Sequence, residues 1–104
     1  MAAVYQQQDD EIEARVGETF TVELEGIPTA GYQWELVQDD PRFRLVKKDY
    51  AHPGVAIGGA TKERLQIEAL EPGSTTLTFK YKQPWETEVL DTKSFRLRIK
   101  PPQH

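Results

Sequence analysis

From Phe20 to Leu24 apolar and polar residues alternate strictly: Phe20, Val22 and Leu24 stand between Thr19, Thr21, Glu23 and Glu25. That period of two is the mark of a strand with one face buried and one face wet. A second run sets Tyr32, Trp34 and Leu36 against Gln33, Glu35 and Val37. Asp39-Asp40-Pro41 is a turn signal, and Phe43 to Val46 reads as a short strand. Leu65, Ile67 and, at the edge of the pattern, Leu70 mark a further strand, which ends at Glu71-Pro72-Gly73. The clearest alternation places Leu77, Phe79 and Tyr81 between Thr76, Thr78, Lys80 and Lys82. After a loop from Gln83 to Asp91, Phe95, Leu97 and Ile99 alternate with Ser94, Arg96, Arg98 and Lys100. Pro101-Pro102 ends that strand, because proline has no N–H to donate to a ladder.

No segment longer than two turns carries helical spacing, so the chain is read as all-β. Six or seven short strands separated by turn signals predict an antiparallel sandwich or barrel. A tryptophan on an early strand, Trp34, favours an immunoglobulin-like sandwich of about seven strands. The first twelve residues, with Gln6-Gln7-Gln8 and Asp9-Asp10-Glu11, are expected to form a polar, flexible tail. Residues 13–104 are expected to form a single domain.

Composition removes several function classes. The 104 residues carry 17 acidic and 13 basic side chains, for a net charge of −4, and Lys47-Lys48 is the only basic doublet. Nucleic-acid binding needs clustered cations, so that partner is not expected. With no cysteine, disulfides, thiol catalysis and cysteine metal sites are ruled out. No apolar run approaches the roughly 20 residues needed to cross a membrane as a helix. Met1 to Glu11 has no basic stretch followed by an apolar one, so no signal peptide is visible. The compartment stays open: cytoplasmic, or periplasmic or secreted if the chain is trimmed.

Candidate chemistry is sparse. His104 is terminal and His52 lies in a Gly/Pro-containing loop, and neither has a partner at metal-ligand spacing. The run Asp9, Asp10, Glu11, Glu13 lacks the glycine and bidentate glutamate of a calcium loop. Glu86, Glu88 and Asp91 near Trp85 could suggest a glycosidase carboxylate pair, but they read more simply as a solvated loop. No phosphate-binding Gly-Lys-Ser/Thr motif and no Gly-x-Ser-x-Gly elbow is present. The expectation is a non-enzyme without metal or cofactor.

Three loops remain. Ile27-Pro28-Thr29-Ala30-Gly31 should be stiff, since Pro28 fixes φ and Gly31 tolerates positive φ; the plain alternative is a tight turn. Gly54 to Thr61 puts Val55, Ala56 and Ile57 beside Gly58-Gly59-Ala60, either as a flap that lies against another chain or as a mobile connection. Gln83-Pro84-Trp85 places an indole beside a proline just past a strand, where it is either a binding hot spot or folded back over the sandwich edge. In a sandwich, loops between alternate strands gather at one end, so the first and third could be neighbours and the second could flank them.

These residues resemble the chagasin family of cysteine-peptidase inhibitors. Pro28-Thr29-Ala30-Gly31-Tyr32-Gln33-Trp34 is similar to that family's Asn-Pro-Thr-Thr-Gly-(aromatic)-x-Trp segment. Gly58-Gly59-Ala60-Thr61 falls where the family has Gly-x-Gly-Gly, and Gln83-Pro84-Trp85 where it has Arg-Pro-Trp. Order and approximate spacing agree across roughly residues 16 to 100, and matching the glycine pair shifts the register of the second motif by two. Ile27, Ala30 and Gln83 stand where the family has Asn, Thr and Arg. The resemblance implies an immunoglobulin-like fold, and reversible, tight inhibition of papain-like peptidases by three loops that occlude the cleft. The implied contact residues are Ile27, Pro28, Thr29, Ala30, Gly31, Ile57, Gly58, Gly59, Ala60, Thr61, Gln83, Pro84 and Trp85. The free protein is expected to be a monomer. Two other readings use the same loops: an adhesion or assembly module, and a carbohydrate-binding sandwich with Trp85 and Tyr81 as stacking platforms.

Overall fold

The computed structural model describes residues 3–26, 31–51 and 61–102. Eight strands occur among them: β1 (Val4–Tyr5), β2 (Glu11–Arg15), β3 (Thr19–Gly26), β4 (Gln33–Leu36), β5 (Phe43–Ala51), β6 (Thr61–Ala69), β7 (Gly73–Lys82) and β8 (Val89–Lys100). They form two four-stranded sheets, ordered β1-β3-β6-β5 and β2-β8-β7-β4. The all-β sandwich expected from the alternation is the fold observed.

The inward positions of both sheets make one core. Phe20 pairs with Ile67 and Val22 with Leu65 in the first sheet, while Leu77 pairs with Phe95 and Leu36 with Phe79 in the second. All eight are at most 9% exposed. Each large side chain buried this way stabilises the fold by about 1.5–3 kcal/mol. Trp34 is 1% exposed, and its indole N–H donates to the Glu25 carbonyl at 2.9 Å, a bond from one sheet to the other.

Two departures from the expected layout have clear causes. Residues 1–12, expected as a tail, hold β1 and the start of β2. β1 runs parallel to β3, and β2 runs parallel to β8, so the N-terminal segment passes from one sheet to the other and the sandwich is not purely antiparallel. β1 is too short to show an alternation, whereas β2 alternates, with Ile12 and Ala14 buried between Glu11, Glu13 and Arg15. Both short strands are completed by pairing to a longer one.

β5 is the second departure, because it runs on from the expected Val46 to Ala51. The register slips between Leu45 and Lys47, a bulge that puts one extra residue on β5. Val46 is left 48% exposed and the alternation changes phase. Behind the bulge, Lys47-Lys48-Asp49 no longer reads as a strand. Smaller shifts are similar: β8 begins at Val89 inside the expected loop, and Ala69, not Leu70, completes the buried face of β6.

Candidate functional site

Strand directions decide where the loops go. β3, β5 and β7 run toward one end of the sandwich, and β4, β6 and β8 leave from that same end. The registers make the stems contiguous: Gly26 pairs with Thr61, Ala51 with Lys62, Gln33 with Lys82, and Lys82 with Val89. The first loop joins β3 to β4, the second β5 to β6 and the third β7 to β8. All three spring from one pole.

Ile27, Pro28, Thr29, Ala30, Ile57, Gly58, Gly59 and Ala60 lie outside the described residues. Thr61 opens β6, its backbone paired with Gly26. Gly31 has a φ of 79°, in the left-handed region where a β-carbon is disfavoured. In the third loop the Glu86 N–H donates to the Gln83 carbonyl at 3.1 Å, closing a tight turn with Pro84 at its second position. That turn presents Trp85 at 68% exposure, whereas Trp34 is inside.

The third loop also touches the end of the first. A β-carbon placed on Gly31 would stand 2.6 Å from Cη2 of Trp85 and 3.2 Å from Cζ3. The indole therefore rests directly on the Gly31 backbone. Beside this contact an aromatic column descends into the core. Tyr32 stacks on Tyr81 with centroids 5.7 Å apart, and Tyr81 tilts against Trp34 at 4.9 Å. Tyr81 also closes on the first stem, since a β-carbon on Gly26 would lie 3.1 Å from its Cε1. Its ring is thus engaged by protein, which leaves Trp85 alone as a stacking platform in the carbohydrate reading.

Beneath the pole lies a polar cluster around one buried carboxylate, Glu63, that the sequence did not single out. Glu63 is 2% exposed, at an inward position of β6 opposite Leu24. The Trp34 backbone N–H donates to both its carboxylate oxygens, at 3.0 and 3.2 Å. Lys48 lies 3.3 Å from Glu63 and donates to the Trp34 carbonyl at 2.7 Å and to Gln33 Oε1 at 2.6 Å. Desolvation is the largest influence on the Glu63 carboxyl and raises its pKa above the usual carboxylate value, although the Trp34 N–H and Lys48 pull it down. The signal was available in the sequence: Glu63 is in phase with Leu65 and Ile67.

Comparison with known proteins agrees with this architecture. Amoebiasin-2 of Entamoeba histolytica is 29% identical over 68 residues, which cover 62% of this chain and 55% of amoebiasin-2. The match therefore spans about half the length of that relative. The cysteine protease inhibitor EhICP2 from Entamoeba histolytica superposes with a TM-score of 0.71 at 21% identity, over 95% of this chain and 97% of that one. The solution structure of Amebosin gives 0.69 at 21% identity, over 98% and 99%. At such identities the structures establish the shared sandwich. The sequence establishes more: the family model for the Chagasin family peptidase inhibitors, I42, matches residues 13–99, and the chain belongs to that family.

Proposed function

We propose that the chain is a reversible, tight-binding inhibitor of papain-like cysteine peptidases that fills the active-site cleft with its loop pole. The observation that carries this reading is the convergence of the three loop stems, with Trp85 exposed and resting on Gly31. Membership in a family of inhibitors, not of enzymes, supports it, as does the likeness to EhICP2, a cysteine protease inhibitor.

The geometry suits occlusion. A surface whose parts already brace one another loses little conformational entropy on docking. An exposed tryptophan at the edge of such a surface is the residue type that most often anchors an interface. Three loops from one pole are enough for a contact of ordinary size, about 1,600 Å² in total. Because loops that fill a cleft need not present a peptide bond to the nucleophile in an attackable pose, the inhibitor need not be cleaved.

Titrating papain or cathepsin L against the protein, with a fluorogenic substrate, tests the reading. Stoichiometric loss of activity that returns on dilution, with the inhibitor uncut on a gel, is the expected result. Micromolar protein that leaves both peptidases fully active would sink it.

A further inference from the structure

The pair made by buried Glu63 and half-buried Lys48, whose side chain is 23% exposed, touches every strand that carries the first two loops. Glu63 belongs to β6 and Lys48 to β5, the two arms of the second loop. Both bind the backbone of Trp34 on β4, which leaves the first loop. Glu63 also reaches β3, which enters that loop: a β-carbon on Gly26 would stand 3.3 Å from its Oε2.

Among the described residues β4 is the edge of its sheet, paired only with β7, and no described strand binds the Trp34 N–H and carbonyl on their outer side. The opposite sheet supplies both partners through side chains. A buried donor or acceptor left without a partner is costly, so this edge is held where Glu63 and Lys48 can reach it. Hydrophobic packing alone does not require an ion pair here. Leu24, opposite Glu63, is 0% exposed, and an apolar residue in Glu63's place would satisfy the alternation. An ion pair to a buried carboxylate often contributes little net stability against an apolar replacement.

We propose that Glu63 and Lys48 are positioning residues for inhibition: by tying β4 to β5 and β6 they set the separation of the stems of the first and second loops, and through it the affinity for the peptidase. Neither side chain touches the peptidase. The inference rests on the inhibitor reading for its functional consequence, but its geometric part stands without it.

The experiment compares wild type with Glu63→Gln, Lys48→Met and the double variant. Inhibition constants against papain are measured at least 15 °C below each melting midpoint, together with the backbone amide shifts of Gly31, Tyr32 and Ala51, which lie outside the immediate neighbours of the substituted residues. Each single variant is expected to raise the inhibition constant about tenfold and to move those shifts. The double variant should cost little more than either single one, because the two residues act as a unit. Because a merely structural role would lower the midpoint only, constants within twofold of wild type for folded variants would overturn the proposal, as would unmoved shifts. If a variant fails to fold, Glu63→Asp, which keeps the charge but shortens the reach, takes its place under the same criteria. Should wild type itself not inhibit papain while the shifts still move, the inhibitor reading fails and the stem geometry is upheld.

Discussion

The six-membered ring of Trp85 lies against Gly31, so close that a β-carbon on the glycine would be 2.6 Å from Cη2 of the indole. One residue ends the first loop and the other tops the third. The contact therefore joins two loops borne by different strand pairs, and Trp85 acts both as an exposed anchor and as a brace. Gly31→Ala should have two costs, a side chain at a φ of 79° and a displaced indole. Trp85→Ala should weaken papain inhibition by about 2 kcal/mol or more, roughly thirtyfold. Gly31→Ala should weaken it at least tenfold in the wild-type background and much less in the Trp85→Ala background. Inhibition constants for the four proteins decide the matter, and strict additivity would make the contact incidental.

Trp34 and Trp85 should part company in stability. Trp34→Ala opens a cavity beside Tyr81 and leaves the Glu25 carbonyl without its indole donor, so it should destabilise by about 3–5 kcal/mol. Trp85→Ala removes a side chain that is 68% exposed and should change stability by less than about 1 kcal/mol. Urea unfolding followed by far-ultraviolet circular dichroism measures both. A large loss for Trp85→Ala would mean that the indole supports the fold.

The central strands and the contrast between the two tryptophans were legible in the sequence, because alternation over five or more residues and a Pro-Trp pair after a strand are local signals. What escaped depends on pairing. β1 has two residues, too few to show a pattern, and the alternation of Ile12 and Ala14 in β2 does not name the parallel partner, β8, that holds it. The second half of β5 was hidden by its bulge, which breaks the alternation at Val46. Glu63 was passed over for a different reason. A glutamate at an inward position looks like a fault in the pattern until its partners are known, and those lie 15 and 29 residues away in Lys48 and Trp34. In the loop pole, Pro28 to Gly31 and Gln83 to Trp85 could be marked as stiff, but that Gly31 and Trp85 touch follows only from the register of β4 on β7.

Two carboxylates should shape the pH dependence of stability in opposite directions. Asp40 has its pKa lowered, chiefly by the Thr75 hydroxyl that donates to it at 2.5 Å and by the Arg42 backbone N–H at 2.9 Å. Its contribution is present above the ordinary aspartate pKa and is lost as pH falls through the lowered one. Glu63 has its pKa raised by burial, so its contribution is present below the ordinary glutamate pKa and is lost as pH rises through the raised one. Urea unfolding from pH 2.5 to 8 should show the advantage of wild type over Asp40→Asn shrinking toward acid. The difference between wild type and Glu63→Gln should move against wild type as pH rises from about 4.5. Parallel curves would mean that neither group senses folding.

The N-terminal strands should prove integral to the domain. Ile12 is 1% exposed and pairs with Leu97, and Ala14 pairs with Ile99, so β2 covers one edge of the core. Ile12→Ala should cost about 2–5 kcal/mol, as for other buried isoleucines. Removing residues 1–15 should do more, because it also frees the outer edge of β8 along Arg96 to Lys100, a row of unpaired backbone groups open to another chain. The truncated protein should melt well below the full chain and associate as its concentration rises. Melting curves at two concentrations, with light scattering, test this. A 16–104 fragment that stays monomeric and melts with the full chain would restore the view of the first residues as a dispensable tail, and would place the edge of the domain at Val16.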